Sequence, residues 1–258
     1  MKKLVIRADD LGYSYAVNLG IVRAVREGLV RSVGLMPNMP EAARGLDWLR
    51  QTGVDVAIGQ HTNVCLGTPC ADPAAIPSLV GPDGQFKSSR EFRASFKEGV
   101  DFVDFDEACL EIEAQHDRFL QLVGREPDYF EAHAVMSANL MAAISEVAAR
   151  HGLREQKVSF DPTVTVTFGT TPVRMVLEDM LPPQEYDPRD FIRRTVAGMA
   201  EGENVVMVFH PGYLDEFILT HSSLTANRTK EVDALIDPEL RTWLEGVDGL
   251  QLCDYRDL

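Results

Sequence analysis

Short apolar runs alternate with amphipathic segments along most of this chain. Leu4–Ala8, Ser32–Met36, Val54–Gly59 and Val205–Phe209 are the clearest runs, and each predicts a buried strand. A shorter strand is predicted at Tyr129–Ala132. Because strands joined by helices pair in parallel, and parallel sheets bury both faces, this order predicts an α/β fold with mostly parallel strands.

Amphipathic stretches with clear stop residues predict the helices that connect these strands. Gly28 and Gly124 each follow such a stretch, as glycine commonly does at the end of a helix. Helices are predicted at Ala16–Glu27, Glu41–Gln51, Phe105–Val123, Ala138–Arg150, Phe191–Met199 and Asp237–Glu245, and the last is expected to close the domain.

Two stretches lack a clear periodic pattern. Thr62–Arg90 is rich in proline and glycine and predicts a long loop, which is usually functional in a compact domain. The pattern over 157–190 favours a strand followed by a helix. The 258 residues fit one domain spanning 1–258, because α/β barrels of about 250 residues fold as single units.

Composition and charge narrow the function classes. The formal net charge is −15, so nucleic acid is not expected as a partner, because phosphate binding needs clustered lysine and arginine. No apolar run approaches the roughly 18 residues of a membrane span, and a soluble cytoplasmic protein with reduced thiols is expected. Two-fold dimers are common among soluble proteins, so a homodimer is kept as an option for the assembly.

Carboxylate and imidazole side chains follow four of the predicted strands. Asp9 and Asp10 follow the first strand, and His61, His133 and His210 follow three others. Because all strands of a parallel barrel end on the face that carries the active site, these side chains are expected to meet. Taken singly, an aspartate pair can cap a helix and a histidine can lie in a loop. The recurrence at four strand ends favours a common site.

Two imidazoles and one carboxylate form a common ligand set for a divalent metal. Such a metal lowers the pKa of a bound water to about 7 and polarises a carbonyl group. The pair Asp9 and Asp10 could supply one ligand and one general base, and the spacing leaves open which residue does which. His210 could protonate a leaving amine, because imidazole titrates near neutral pH.

The remaining three histidines have other expected roles. His116 lies within the apolar stripe of a predicted helix and is expected to be structural. His151 ends the next helix, where a cation suits the helix dipole. His221 lies in a predicted loop and is assigned no role.

Several short segments carry motifs in a defined order along the chain. They are Ile6–Gly12, Val17–Ile21, Gly34–Pro40, Ile58–His61, Ile76–Val80, Asp83–Phe86, Glu131–His133 and His210–Asp215. Together these segments resemble the YdjC/ChbG family of carbohydrate deacetylases, and the resemblance covers most of the chain.

This resemblance implies an irregular TIM-like (β/α) barrel and an enzyme that removes acetyl groups from N-acetylated amino sugars such as chito-oligosaccharides. It also implies a small carbohydrate as the ligand and a divalent metal cation, Mg²⁺ or Zn²⁺, as the cofactor. By position, Asp10, His61 and His133 match the family's metal ligands, Asp9 matches the general base, and His210 matches a site histidine that can serve as the acid.

The chain departs from the family pattern at a few positions near the expected metal ligands. Glu131 replaces an aspartate, and Val135 and Ser137 stand where the family often has further histidines. Gln60 and Thr62 also replace the usual residues. The alternative is therefore a divergent member that hydrolyses another acylated small molecule or only binds a sugar.

The same ligand set also suits a different class of metal enzyme. Two histidines and one aspartate are typical of non-haem iron oxygenases. Those enzymes usually carry an H-x-D motif on a different β fold, and this sequence has no such motif. Release of acetate without a need for oxygen would separate the two classes.

Overall fold

The fold is built around one curled sheet, which a computed structural model describes over residues 1–159 and 161–258. The strands in these residues are β1 (Lys2–Leu11), β2 (Ser32–Leu35), β3 (Ala57–Thr62), β4 (Phe130–Ala132), β5 (Thr165–Phe168), β6 (Thr171–Val176), β7 (Asn204–Phe209) and β8 (Leu250–Cys253). The α-helices are α1 (Tyr15–Arg26), α2 (Ala42–Gln51), α3 (Ser89–Lys97), α4 (Phe105–Val123), α5 (Ala138–Arg150), α6 (Pro188–Ala197), α7 (Glu216–His221), α8 (Ala226–Leu235) and α9 (Pro238–Glu245).

The strand order shows an open rather than a closed barrel. The sheet runs β4-β3-β2-β1-β7-β6-β5, β8 pairs with the start of β1, and all these pairs are parallel except β5 with β6. Glu155 and Gln156 make only isolated bridges to Phe130 and Phe168 across the remaining gap. The predicted α/β fold with mostly parallel strands is confirmed. The predicted TIM-like barrel is a curled half-barrel, because its short edge strands do not pair with each other.

Alternation along β1 separates the two faces of this sheet. Leu4 packs into the outer core beneath the helices, whereas Val5 packs into the inner core of the curl with Tyr255. Arg7 and Asp9 follow Val5 at intervals of two residues, so they share its inward direction. The inside of the curl therefore has an apolar floor and a charged layer above it, toward the carboxyl ends of the strands.

Local capping explains why α4 and α5 begin and end where the sequence predicts. The side chain of Asp104 accepts hydrogen bonds from the first turn of α4, and Gly124 ends this helix in the left-handed region with φ 85°. The side chain of Ser137 accepts from the backbone N–H of Leu140 at the start of α5. These two helices flank β4, and their predicted bounds are confirmed.

Some of the predicted elements need correction. The first strand runs to Leu11, so Asp9 and Asp10 lie within β1 and not after it. The third strand begins at Ala57 rather than Val54 and includes His61, which therefore lies within β3 and not after it. The stretch 157–190 contains the hairpin β5–β6, and α6 begins at Pro188; residue 160 lies outside the described residues. The predicted loop after β3 ends at α3 and includes a short 3-10 turn.

The carboxyl-terminal part holds elements that the apolar pattern did not predict. β8 follows α9, so α9 does not close the domain. The buried face of α8 includes the polar residues Asn227, Arg228 and Glu231. This helix therefore lacks the apolar stripe from which a helix is predicted. Among the helices of the described ranges, none combines the length and the apolar character needed to cross a bilayer.

Candidate active site

A β-bulge near the end of β1 separates the two adjacent aspartates. Ala8 pairs with Val33 but Leu11 pairs with Leu35, so β1 holds one residue more than β2 over this stretch. Asp10 adopts φ 77°, a left-handed conformation that aspartate tolerates better than most residues. Bulges of this kind re-aim side chains beside active sites. Here the bulge lets the two neighbouring carboxylates contact different partners.

Asp10, His61 and His133 converge on one point. Asp10 Oδ1 lies 3.2 Å from His61 Nε2 and 3.1 Å from His133 Nδ1. The two ring nitrogens are 2.8 Å apart. Ligand atoms around a tetrahedral zinc ion with bonds of about 2.0–2.2 Å lie roughly 3.3 Å from one another. The three atoms are therefore close enough together to share one divalent metal.

Arg228 holds the second oxygen of the Asp10 carboxylate. Its Nη2 donates to Asp10 Oδ2 over 2.7 Å, which leaves Oδ1 directed at the two histidines. Burial alone raises the pKa of Asp10, but Arg228 and His133 lower it well below its usual value. Arg228 Nη1 also donates to the carbonyl oxygen of His210, 3.3 Å away. One buried arginine thus connects the metal ligands to the predicted acid.

Glu131 contacts the back of the His61 ring. Its Oε1 faces His61 Nδ1, and a proton on Nδ1 leaves the Nε2 lone pair free for a metal. Burial lowers the pKa of His61, but the Glu131 and Asp9 carboxylates raise it well above its usual value. The surroundings of His61 therefore favour a positive charge, as a metal site requires.

Asp9 lies on the other side of His61 from Asp10. Its Oδ2 accepts from Arg7 Nη2 over 2.7 Å and lies 4.0 Å from His61 Nδ1. Its Oδ1 is buried and has no hydrogen-bond partner among residues 1–159 and 161–258. A Cβ atom on Gly34 would come within 2.7 Å of this oxygen, so only glycine leaves it space. One oxygen of Asp9 is thus fixed by Arg7, and the other is buried beside Gly34.

His210 is held by two acidic residues. Its Nδ1 lies 2.6 Å from Asp179 Oδ2, and its backbone N–H donates to Glu231 Oε2 over 2.6 Å. Burial lowers the pKa of His210, but the Asp179 carboxylate raises it, to about 9 in balance. Both ring nitrogens therefore carry a proton at neutral pH, so the ring is positively charged and can donate the proton on Nε2.

Comparison of the sequence with those of known proteins places this chain in a family. Residues 3–246 match the sequence profile of the YdjC-like proteins. The chain belongs to the YdjC family. Carbohydrate deacetylase 2 of Listeria innocua is 30% identical over 258 residues, which cover 99% of this chain and 98% of that protein. Chitooligosaccharide deacetylase of an Enterobacter species is 28% identical over 265 residues, which cover 100% and 99% of the two chains.

A solved structure supports the same fold. The crystal structure of a proposed cellobiose-phosphate cleavage protein of Enterococcus faecalis superposes with a TM-score of 0.80. It is 24% identical, and the match covers 99% of this chain and 98% of the other. This likeness shows that the curled α/β fold of the chain is one already known from crystallography.

The structure places the residues predicted for this YdjC-family site at one end of the sheet. Asp10, His61 and His133 form one cluster of potential ligands, and Asp9 with His61 and Glu131 forms a second that shares the His61 ring. Their assigned roles stay predictions.

Several residues that hold the site together were not predicted from the sequence. Arg7 carried a signal, since it is a charged residue within an otherwise apolar strand. Arg228 and Glu231 carried none, because they lie on a helix without an apolar stripe. Asp179 lies in the stretch with no clear pattern, and its contact with His210 follows only from the tertiary structure.

Two departures from the YdjC-family pattern have structural roles in this chain. Val135 is 3% exposed and belongs to the apolar core around α5. Ser137 caps α5, and its hydroxyl also donates to Asp101 Oδ1, 2.8 Å away. Both positions therefore support the loop that follows His133 without adding a metal ligand.

Proposed function

We propose that this YdjC-family chain is a metal-dependent hydrolase that removes the acetyl group from N-acetylated amino sugars. The observation that carries this proposal is the convergence of Asp10, His61 and His133 at 2.8–3.2 Å, on the same end of the sheet as His210. The names of the relatives, carbohydrate deacetylase and chitooligosaccharide deacetylase, support a carbohydrate amide as the substrate class.

The metal would be held by Asp10 Oδ1, His61 Nε2 and His133 Nδ1. When bound, a divalent cation polarises the acetamide carbonyl and lowers the pKa of a water. Both Mg²⁺ and Zn²⁺ are candidates, and the two imidazoles favour Zn²⁺ because Mg²⁺ prefers oxygen ligands. Arg228 keeps Asp10 ionised, and Glu131 keeps the His61 ring in the required orientation.

Asp9 is the proposed general base. Arg7 fixes its Oδ2, and its Oδ1, which has no hydrogen-bond partner among the described residues, is the oxygen proposed to accept the proton of the attacking water. A positioned base of this kind contributes about 10²–10⁴-fold to the rate. If Asp9 instead only supports Arg7 and His61, its replacement by asparagine changes metal affinity rather than turnover.

His210 is the proposed general acid. It is protonated at neutral pH, because Asp179 raises its pKa to about 9. Its Nε2 donates this proton to the amine nitrogen as the carbon–nitrogen bond breaks, so the products are acetate and a free amino sugar. Asp179 accepts from Nδ1 throughout and stabilises the charged ring.

The test is a screen of acetylated amino sugars, from the monosaccharide to short chito-oligosaccharides, for acetate release with Mg²⁺, Zn²⁺, Mn²⁺ or Co²⁺. We expect release that depends on the metal and does not require oxygen. Release from another acylated compound alone would change the substrate class. Sugar binding without any release would favour the alternative of a protein that only binds carbohydrate.

A further inference from the structure

A second group of two histidines and one carboxylate lies away from the active site. Glu113 and His116 are three residues apart on α4, so they share one face of that helix. His151 is the C-cap residue of α5. One potential ligand atom from each of the three lies within 4.8 Å of the others.

The contacts within this group bring two imidazoles against each other. The ring centroids of His116 and His151 are 4.1 Å apart. His151 Nε2 lies 2.6 Å from Glu113 Oε2, and His116 Nε2 lies 2.7 Å from Glu126 Oε2. Two rings and the Glu113 carboxylate therefore share one small region between α4 and α5, and Glu126 contacts the His116 ring at its Nε2.

An ion-pair network accounts for only part of this arrangement. His116 is 1% exposed, and its Nδ1 is buried without a hydrogen-bond partner among the described residues. Buried polar atoms normally have a hydrogen-bond or metal partner. A cation bound in this group would supply that partner to the His116 ring. Arg150 Nη1 lies 3.4 Å from Glu113 Oε1 and leaves Oε2 directed at His151.

The ligand types resemble those of the active site. There, Arg228 holds one oxygen of Asp10 and leaves the other to two histidines. Here, the exposed Arg150 lies 3.4 Å from one oxygen of Glu113, and the other oxygen faces His151. Imidazoles combined with a carboxylate suit zinc-type cations better than Mg²⁺ or Ca²⁺.

We propose that Glu113, His116 and His151 form a second divalent-metal site, of the zinc type, while Glu126 holds the His116 ring through its Nε2. The bound ion fastens α4 to the end of α5. Because these helices flank β4 and the His116 ring lies 6.2 Å from the Phe130 ring, the ion also braces the strand that leads to the active site. The site is independent of the proposed deacetylase function.

The experiment counts tightly bound Zn²⁺ per chain by equilibrium dialysis against zinc alone, followed by metal analysis. The variants are His151→Ala and Glu113→Gln at the second site, His133→Ala at the active site, and the double variant His133→Ala/His151→Ala. His151 and Glu113 are partly exposed, so these changes spare the core. His221→Ala, which removes an exposed histidine, is the matched control.

We expect two zinc ions in the wild type and in the control, one in each single variant with at least a ten-fold loss of affinity at the altered site, and none in the double variant. Zinc should also raise the melting temperature of His133→Ala but not of the double variant. Equal zinc content and equal melting shifts in those two proteins overturn the second site. A single zinc ion that only the second-site variants abolish supports it and instead contradicts the proposed catalytic metal.

Discussion

The two sides of the active site are built from different parts of the fold. Asp10, His61 and His133 come from the ends of β1, β3 and β4, where the ladder of parallel strands sets their separation. His210 also follows a strand, but its partner Asp179 lies in the segment between β6 and α6, and Glu231 lies on α8. The metal side is thus positioned by the sheet, and the acid side by tertiary packing around it.

The two sides also differ in the charge that they stabilise. On the metal side, the carboxylates around His61 favour a cation, and Arg228 keeps Asp10 ionised. On the acid side, Asp179 keeps a proton on His210 up to a pH of about 9. This contrast separates the roles, because changes on the first side should alter metal binding and changes on the second should alter the pH dependence.

The largest expected effect is on the metal side. His133→Ala removes one of three ligands, so we expect metal affinity to fall and acetate release to drop by more than about 10³-fold, since the metal stabilises the developing negative charge. Metal analysis and initial rates measure both quantities. Wild-type turnover in a variant that binds no metal would contradict the role of the cluster.

Asp9→Asn should lower turnover by about 10²–10⁴-fold while metal content stays at the wild-type level, because the amide oxygen cannot take up the proton from water. Asparagine keeps the size of the side chain and its hydrogen bond from Arg7, so the change tests charge rather than packing. If turnover persists, Asp9 is a supporting residue and not the base.

Glu131→Gln should weaken metal binding by about 10–100-fold, since carboxylates that hydrogen-bond to metal-bound histidines commonly contribute that much. Glutamine still accepts from His61 Nδ1 but carries no charge. At saturating metal most of the activity should return, and metal titrations of the two proteins measure the difference. A loss that excess metal does not restore would point to a direct part in the reaction.

The smallest effect is expected on the acid side, and it grows as the pH rises above neutrality. In the wild type, activity should fall as the pH rises through about 9, where His210 loses its proton. In Asp179→Asn the pKa should return toward about 6.5, so activity at pH 8 should be about 30-fold lower and should recover in acid. Initial rates of acetate release from pH 5 to about pH 10 measure this fall in activity.

Tyr186→Phe is the control for the acid side. It removes the hydroxyl that donates to Glu231 Oε1 over 2.7 Å but leaves the Asp179–His210 pair in place. The pH at which its activity falls should stay near that of the wild type. If the pH at which activity falls is also unchanged in Asp179→Asn, the group that loses its proton near pH 9 is not His210.

The same contrast explains how much the sequence could predict. His61 and His133 were recognisable because each lies at the end of an apolar run, and parallel strands carry such residues to one edge of the sheet. The left-handed backbone conformation of Asp10 could not be predicted, because the bulge that produces it depends on the pairing of β1 with β2.

The acid side was less predictable for a physical reason. Arg228 and Glu231 are buried through contacts with the site rather than through an apolar face, so α8 has no pattern that would indicate a helix. The open sheet was likewise not predictable, because closure depends on whether edge strands as distant as β4 and β5 pair. Patterns along the chain report local periodicity and not such contacts.

The most direct test of the central claim is anomalous diffraction at the zinc edge from crystals of the protein grown with Zn²⁺. We expect a peak within about 2.0–2.2 Å of Asp10 Oδ1, His61 Nε2 and His133 Nδ1. A well-ordered structure with no peak among these three atoms at saturating zinc would contradict it.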